Sequence, residues 1–438
     1  MEEVILVEQS LKLTGEVHLS GAKNAVLVIM ASLLLVKGKS ILKNVPHSAD
    51  VDQMSKLLES LGAIVKFDAA MHTLEVDATN VENYSIDHGA MRKMRASVLV
   101  MGPLLARLGK IALTYPGGCV LGKRPIDYHI KNFKRMGVTI HEDDNFLTAV
   151  TDCLQARRLV LEYPSVGATE NILMAATLTT GVTEIVNAAL EPEVIDLIDA
   201  LRKMGARIEF KSPATILIEG VSKLNPIEHT IICDRLEAGT FLLAAAVTGG
   251  EIFIPEIDPG IMDVFLLKLE EMGHIVKSGA GVGGIAFKAA RYPRAVSFKT
   301  APYPGFPTDL QAPMMVAQCL AEGESTIEEF VYENRLMHAQ ELLKLGAQIK
   351  VGGHTANVTG VSELYGADVV ATDIRAAAAL AIAGLAAHGC TVISGVNHFR
   401  RGYDQLDVKL QALGAKINIM HSDSLKLKHS KWAREELL

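Results

Sequence analysis

Cys119 lies in Pro116-Gly117-Gly118-Cys119 and is followed by Gly122-Lys123-Arg124-Pro125. The glycines on either side loosen the backbone around the thiol. Lys123 and Arg124 favour its thiolate and attract an anion. A cysteine taken alone is most often a small buried hydrophobe. On a cationic, glycine-rich loop it is instead a candidate for chemistry on an anionic substrate.

Charged residues also recur where apolar helices should begin. Lys23-Asn24, Arg95, Thr169-Glu170, Arg235, Asp309 and Asp373-Ile374-Arg375 each stand about 14 residues before a recurring glycine. A buried helix has no structural need for a cation in its first turn, where the charge opposes the helix dipole. Lys23, Arg95 and Arg375 therefore suggest anion binding at helix N-termini. Asp309, after Thr308, and Asp373 also suit ordinary N-caps, so capping and chemistry both stay open for them. Glu333-Asn334-Arg335 and Arg400-Arg401-Gly402-Tyr403 hold, in later repeats, the place of the Cys119 loop. Surface arginines are usually only solvated, but this shared position argues for more.

The elements that must position these residues repeat six times. A helix-like run ends in Leu61-Gly62, Met136-Gly137, Met204-Gly205, Met272-Gly273, Leu345-Gly346 and Leu413-Gly414, each followed by a short alternating strand. The glycines are 75, 68, 68, 73 and 68 residues apart and suit the C′ position after a helix, where positive φ is needed. An earlier set, Gly38, Gly109, Gly181, Gly249, Gly323 and Gly389, closes a more apolar helix. The two glycines of the second unit are 28 residues apart, about four more than elsewhere, and the excess falls in the Cys119 loop. An insertion in one repeat maps to a surface loop, often the functional one.

Each unit is predicted to run strand, helix, strand, helix, strand, strand. The first helix, at 25–36, 95–108, 171–180, 239–247, 311–321 and 376–387, is apolar almost all round and should be buried. The second, as at 54–61, 266–272 and 341–345, is amphipathic and should face solvent. Helices enclosed by sheet reverse the usual α/β layering. Six units divide as three plus three, and helix N-termini with cations from both halves would form an interdomain anion cleft.

Composition narrows the class. The chain of 438 residues is 49% hydrophobic and carries a net charge of −7, which argues against general nucleic-acid binding. The most apolar stretch, 25–36, is too short to span a membrane. Met1-Glu2-Glu3 lacks the basic start of a signal peptide. Five cysteines without a Cys-x-x-Cys pair fit reduced thiols in a cytoplasmic protein. The 14 histidines show no metal-ligand spacing, so no metal or other cofactor is expected.

Several motifs appear together and in order: Ser20-Gly21-Ala22-Lys23-Asn24, Met94-Arg95-Ala96-Ser97, the Cys119 loop with Arg124-Pro125-x-Asp127, Ser165-Val166-Gly167-Ala168-Thr169, Glu191-Pro192-Glu193 and Asp234-Arg235-x-Glu237. Phe306-Pro307-Thr308-Asp309-x-Gln311, Glu333-Asn334-Arg335-x-Met337-His338, Thr372-Asp373-x-Arg375-Ala376 and Arg401-Gly402-Tyr403 follow. From about residue 5 to residue 418 the chain closely resembles the bacterial UDP-N-acetylglucosamine enolpyruvyl transferases.

The resemblance implies a two-lobed inside-out α/β barrel built from βαβαββ-like units. One lobe would hold 23–233. The other would hold 1–22 and 234–438, with a tail from about 420 that contains Trp432 and is either an amphipathic helix or disordered. The implied reaction transfers enolpyruvyl from phosphoenolpyruvate to the 3-hydroxyl of UDP-N-acetylglucosamine, releasing phosphate, as the first committed step toward peptidoglycan and so toward cell-wall growth, shape and division. Lys23, Arg124 and Arg401 would hold phosphoenolpyruvate. Asn24, Arg95, Arg124, Pro125, Ile126, Asp127, Tyr128, Ser165, Val166, Gly167, Asp309 and Val331 would contact the UDP-sugar. Cys119 would be a general acid able to form a pyruvate adduct, and the target of fosfomycin. Asp309 would be the base, and Arg335, Asp373 and Arg375 would join on closure. These small molecules are the partners expected, with no nucleic acid and no membrane. Lys123, Tyr163 and Arg400 depart from the family's usual residues. An enolpyruvylshikimate phosphate synthase-like transferase shares the fold and the donor, but the Cys119 loop favours the nucleotide sugar. A UDP-sugar-binding regulatory paralogue would be expected to have lost Cys119, Lys23, Asp309 or Arg401, and all four are present.

Overall fold

A computed structural model describes residues 3–86, 95–114, 126–143, 146–278 and 283–423. The chain divides into two compact units. One contains residues 3–19 and 234–423, and the other contains the described residues between 20 and 233.

Among the described residues six four-stranded sheets are formed, and all follow one plan. In the sheet of Arg158–Val160, Val182–Val186, Thr215–Glu219 and Arg207–Ser212, the first pair is parallel and the other two are antiparallel. One face of each sheet is buried, so the strands alternate in burial, as in Thr73–Asp77 and Glu324–Glu328.

The buried helices are Lys23–Ser32, Met101–Leu108, Val166–Ala176, Arg235–Val247, Gln311–Cys319 and Ile374–Ala386. All carry runs of fully buried residues, such as Ala25 to Ser32 and Leu236 to Ala246. In the second half the three helices pack against one another. In the first half Val166–Ala176 packs on Met101–Leu108. Two glycines permit close approach. A Cβ at Gly102 would lie 2.3 Å from the Asn171 carbonyl oxygen, and one at Gly239 would lie 2.5 Å from Leu310. Gly239 thereby lets the turn Thr308–Leu310 rest on the helix Arg235–Val247.

The repeat expected from the glycines is present. All twelve have positive φ, from 68° at Gly109 to 133° at Gly38. Two helices begin earlier than their apolar pattern suggests, at Val166 and Arg235, because Ser165 and Asp234 cap them. The helix expected at 25–36 ends at Ser32 and tightens into the 3₁₀ turn Leu33–Leu35. The second helices are amphipathic rather than simply solvent-facing; Pro192–Met204 buries most of its length.

Three of the sheets include a strand from a distant part of the chain. Thr14–Glu16 pairs in parallel with Glu251–Ile254, while Glu228–Thr230 takes the equivalent place beside Lys39–Lys43. Glu3–Glu8 inserts between Cys390–Ser394 and Lys416–His421. The N-terminal residues thus complete two sheets of the unit formed by the second half. Among the described residues, no helix is long and apolar enough to cross a membrane.

Candidate active site

Asp309 lies in the 3₁₀ turn Thr308–Leu310 and makes no capping bond there. Its carboxylate is engaged by two arginines. Arg335 Nη2 donates to Oδ1 at 2.5 Å, and Arg375 Nη2 donates to Oδ2 at 3.2 Å. Both arginine side chains are buried, whereas Asp309 keeps 26% of its side-chain exposure. Burial alone would raise the Asp309 pKa, but Arg375 and Arg335 outweigh it and hold the carboxyl well below the usual range. Charge, rather than capping, accounts for this aspartate.

The arginines have fixed supports. The Arg375 guanidinium lies 5.8 Å from the centre of the Tyr403 ring, and its Nη1 donates to the Tyr403 hydroxyl at 3.2 Å. That hydroxyl lies 3.1 Å from Thr240 Oγ1. Arg335 stacks on the Tyr332 ring at 4.9 Å. Asp373 is the cap that its sequence position allowed, with Oδ1 accepting from Arg375 N at 2.8 Å and Ala376 N at 3.1 Å. Arg401 lies in the helix Val396–Gly402, partly exposed. The family departure at Arg400 has a local answer: its guanidinium donates to both carboxylate oxygens of Glu3, at 2.5 and 3.0 Å.

In the other unit, Lys23 opens the helix Lys23–Ser32, with Asn24 exposed beside it. The Lys23 ammonium is 3.3 Å from Asp50 Oδ2, and both side chains are largely buried. Sequence reasoning missed Asp50, which looks like an ordinary acid in the first turn of Ala49–Ser60. No spacing in the sequence marks it, because its partner Lys23 lies 27 residues away.

Ile126, Asp127 and Tyr128 begin the helix Asp127–Arg135, and Ser165, Val166 and Gly167 begin Val166–Ala176. His129 joins the two helix starts. Its ring lies where a Cβ on Gly167 would meet it at 3.3 Å, and Asn171 Nδ2 bonds its Nδ1 at 3.1 Å. Burial lowers the His129 pKa to about 4, so its ring is neutral there at pH 7. Adjacent helix N-termini present backbone donors suited to an anion. Cys119, Lys123, Arg124 and Pro125 lie outside the described residues, as does the Arg95 side chain; residues 424–438 of the tail lie outside them too.

Comparison with known proteins places these residues in a family. The family model for EPSP synthase (3-phosphoshikimate 1-carboxyvinyltransferase) matches residues 7–410. UDP-N-acetylglucosamine 1-carboxyvinyltransferase 1 of Caldanaerobacter subterraneus subsp. tengcongensis is 47% identical over 417 residues, covering 95% of this chain and 99% of its own. The chain belongs to the UDP-N-acetylglucosamine 1-carboxyvinyltransferase family. A second member, from Dichelobacter nodosus, is 46% identical over 93% of this chain and 96% of its own. Among solved structures, the enolpyruvyl transferase NikO from Streptomyces tendae superposes with a TM-score of 0.87 at 27% identity, over 96% of this chain and 99% of that one. An EPSP synthase from Acinetobacter baumannii has a TM-score of 0.72 at 16% identity, over 96% of this chain and 100% of its own, a likeness of fold. The enolpyruvyl transferase fold expected from the sequence is therefore the fold of this family member.

Proposed function

We propose that the protein transfers the enolpyruvyl group of phosphoenolpyruvate to the 3-hydroxyl of UDP-N-acetylglucosamine and releases phosphate. The observation that carries this reading is identity of 46–47% with enzymes of that name along almost the whole chain. No cofactor is needed, because acid–base chemistry and anion binding suffice.

The reaction is an addition followed by an elimination. Asp309 accepts the proton of the sugar hydroxyl as that oxygen bonds to C2 of phosphoenolpyruvate. The Cys119 thiol gives a proton to C3, which becomes a methyl group. The resulting ketal loses the C2–O bond to phosphate while the methyl group returns a proton to the Cys119 thiolate, restoring the double bond, and the proton held by Asp309 leaves with the phosphate. Lys23, Arg124 and Arg401 stabilise the phosphate as it departs. The paired helix starts at Asp127 and Val166 supply backbone donors for the diphosphate. Asp309 is ionised before substrate arrives, but its two arginines make it a weak base. Arg335 and Arg375 turning toward substrate anions would restore its basicity.

The test is phosphate release from phosphoenolpyruvate. It should require UDP-N-acetylglucosamine and should not occur with shikimate 3-phosphate as acceptor. Equal release with the shikimate ester would overturn the nucleotide-sugar reading. An epoxide phosphonate of the fosfomycin type should label Cys119, and peptide mapping that finds the label only on other thiols would overturn the role given to Cys119.

A further inference from the structure

Glu329 follows the strand Glu324–Glu328 and is 1% exposed. A carboxylate so buried needs partners, and this one has four neutral donors. Its Oε1 accepts from Val331 N at 2.8 Å, Thr300 Oγ1 at 3.0 Å and Tyr332 N at 3.1 Å. Its Oε2 accepts from Thr308 Oγ1 at 2.8 Å. Thr300 Oγ1 also accepts from Phe330 N at 3.2 Å.

The two oxygens serve different segments. Oε1 gathers the loop that carries Val331 and leads to Tyr332, on which Arg335 stacks. Oε2 holds the turn Thr308–Leu310, which has no side-chain cap of its own and carries Asp309. We propose that Glu329 is a positioning residue for the transfer reaction, its buried carboxylate tying the Asp309 turn to the Val331 loop and fixing their spacing. The proposal rests on the reading of Asp309 as base and Val331 as a sugar contact. A base displaced by about 1 Å can cost about 10²-fold in rate, so a tether one bond long has leverage over turnover.

Thr308→Val keeps the side chain's shape but removes that bond and leaves the buried Oε2 without its hydroxyl donor. Turnover, counted per UDP-N-acetylglucosamine site titrated by calorimetry, should fall by about 10- to 10²-fold. Sugar affinity should stay near the parental value, because Oε1 still holds the Val331 amide. A loss of folded protein would lower the number of sites but not the turnover per site. Thr308→Ser should recover most of what Thr308→Val loses. Glu329→Gln should retain more turnover than Thr308→Val, since its amide oxygen can accept the three loop donors and its nitrogen can donate to Thr308. Parental turnover per site in Thr308→Val would overturn the proposal. So would a folded Glu329→Gln with less activity than Thr308→Val, because charge rather than geometry would then matter. Failure of the base reading is visible separately: Asp309→Asn would turn over normally while Thr308→Val would not.

Discussion

Asp309 combines two properties that are hard to reconcile in one residue. It is ionised over nearly all accessible pH, as a proton acceptor must be, yet the arginines that ionise it also weaken it as a base. The sign of the effect is open to measurement. Because Arg375 and Arg335 depress its pKa, the acid limb that Asp309 gives to kcat/KM should lie below the ordinary aspartate value of about 3.9. Activity should therefore show no Asp309 limb as pH falls from 7 toward 4. Arg375→Gln removes the stronger charge partner, so the Asp309 pKa should rise and a limb should appear at higher pH. Profiles normalised to each variant's plateau separate this shift from the loss of substrate binding. An identical limb in both proteins would show that Arg375 does not set the ionisation of Asp309.

At the scale of elements, Asp373 ties helix stability to the site, since its Oδ1 caps the helix Ile374–Ala386 by accepting from the backbone N–H of Arg375. Asp373→Ala should lower stability by about 1 kcal/mol, and Asp373→Asn, which keeps a capping oxygen, by much less. Thermal melts of the two variants decide it; equal losses would mean that the cap contributes nothing. The elements themselves were largely legible in the sequence. Glycines with positive φ leave a residue-type signature, and helices buried all round are apolar all round. The apolar stretches at 171–180 and 239–247 begin later than their helices because a polar first turn breaks the apolar pattern while a cap still extends the helix; the spacing to the glycines placed the second start correctly at Arg235. The exchange of Thr14–Glu16 for Glu228–Thr230 was invisible to periodicity, since both strands have the same local character; only the family resemblance implied that the N-terminus crosses. Glu329, Asp50 and the double pairing of Asp309 were not legible. Asp309 meets partners 26 and 66 residues away, and such contacts leave no spacing to read.

The whole molecule carries a pH dependence of stability that differs between its two units. Burial lowers the pKa of His129, His274 and His338 to about 4, although Asp373 partly opposes this at His338. Their folded-state values are depressed below the unfolded value of about 6.5. Between about pH 6.5 and 4 the unfolded chain therefore binds protons that the folded chain excludes, and stability falls as pH falls. Each buried histidine contributes a slope of up to about 1.4 kcal/mol per pH unit in that window. His129 belongs to the unit built from the first half, while His274 and His338 belong to the other. If the units unfold in separate transitions, as two-domain chains often do, the second should lose stability more steeply as pH falls, because in the first unit buried Glu170, whose pKa burial raises well above the usual range, gains stability in the same window and offsets His129. Urea denaturation at half-unit steps from pH 6.5 to 4.5 measures both slopes. His274→Gln offers a check, because His274 Nδ1 accepts from Ala290 N at 3.0 Å and the glutamine oxygen can take that bond without titrating. The variant should remove about half of the histidine-derived slope of the second unit and leave the first unchanged. A slope that stays the same in this variant, or a second transition that is flat between pH 6.5 and 5, would rule out the buried neutral histidines as its source.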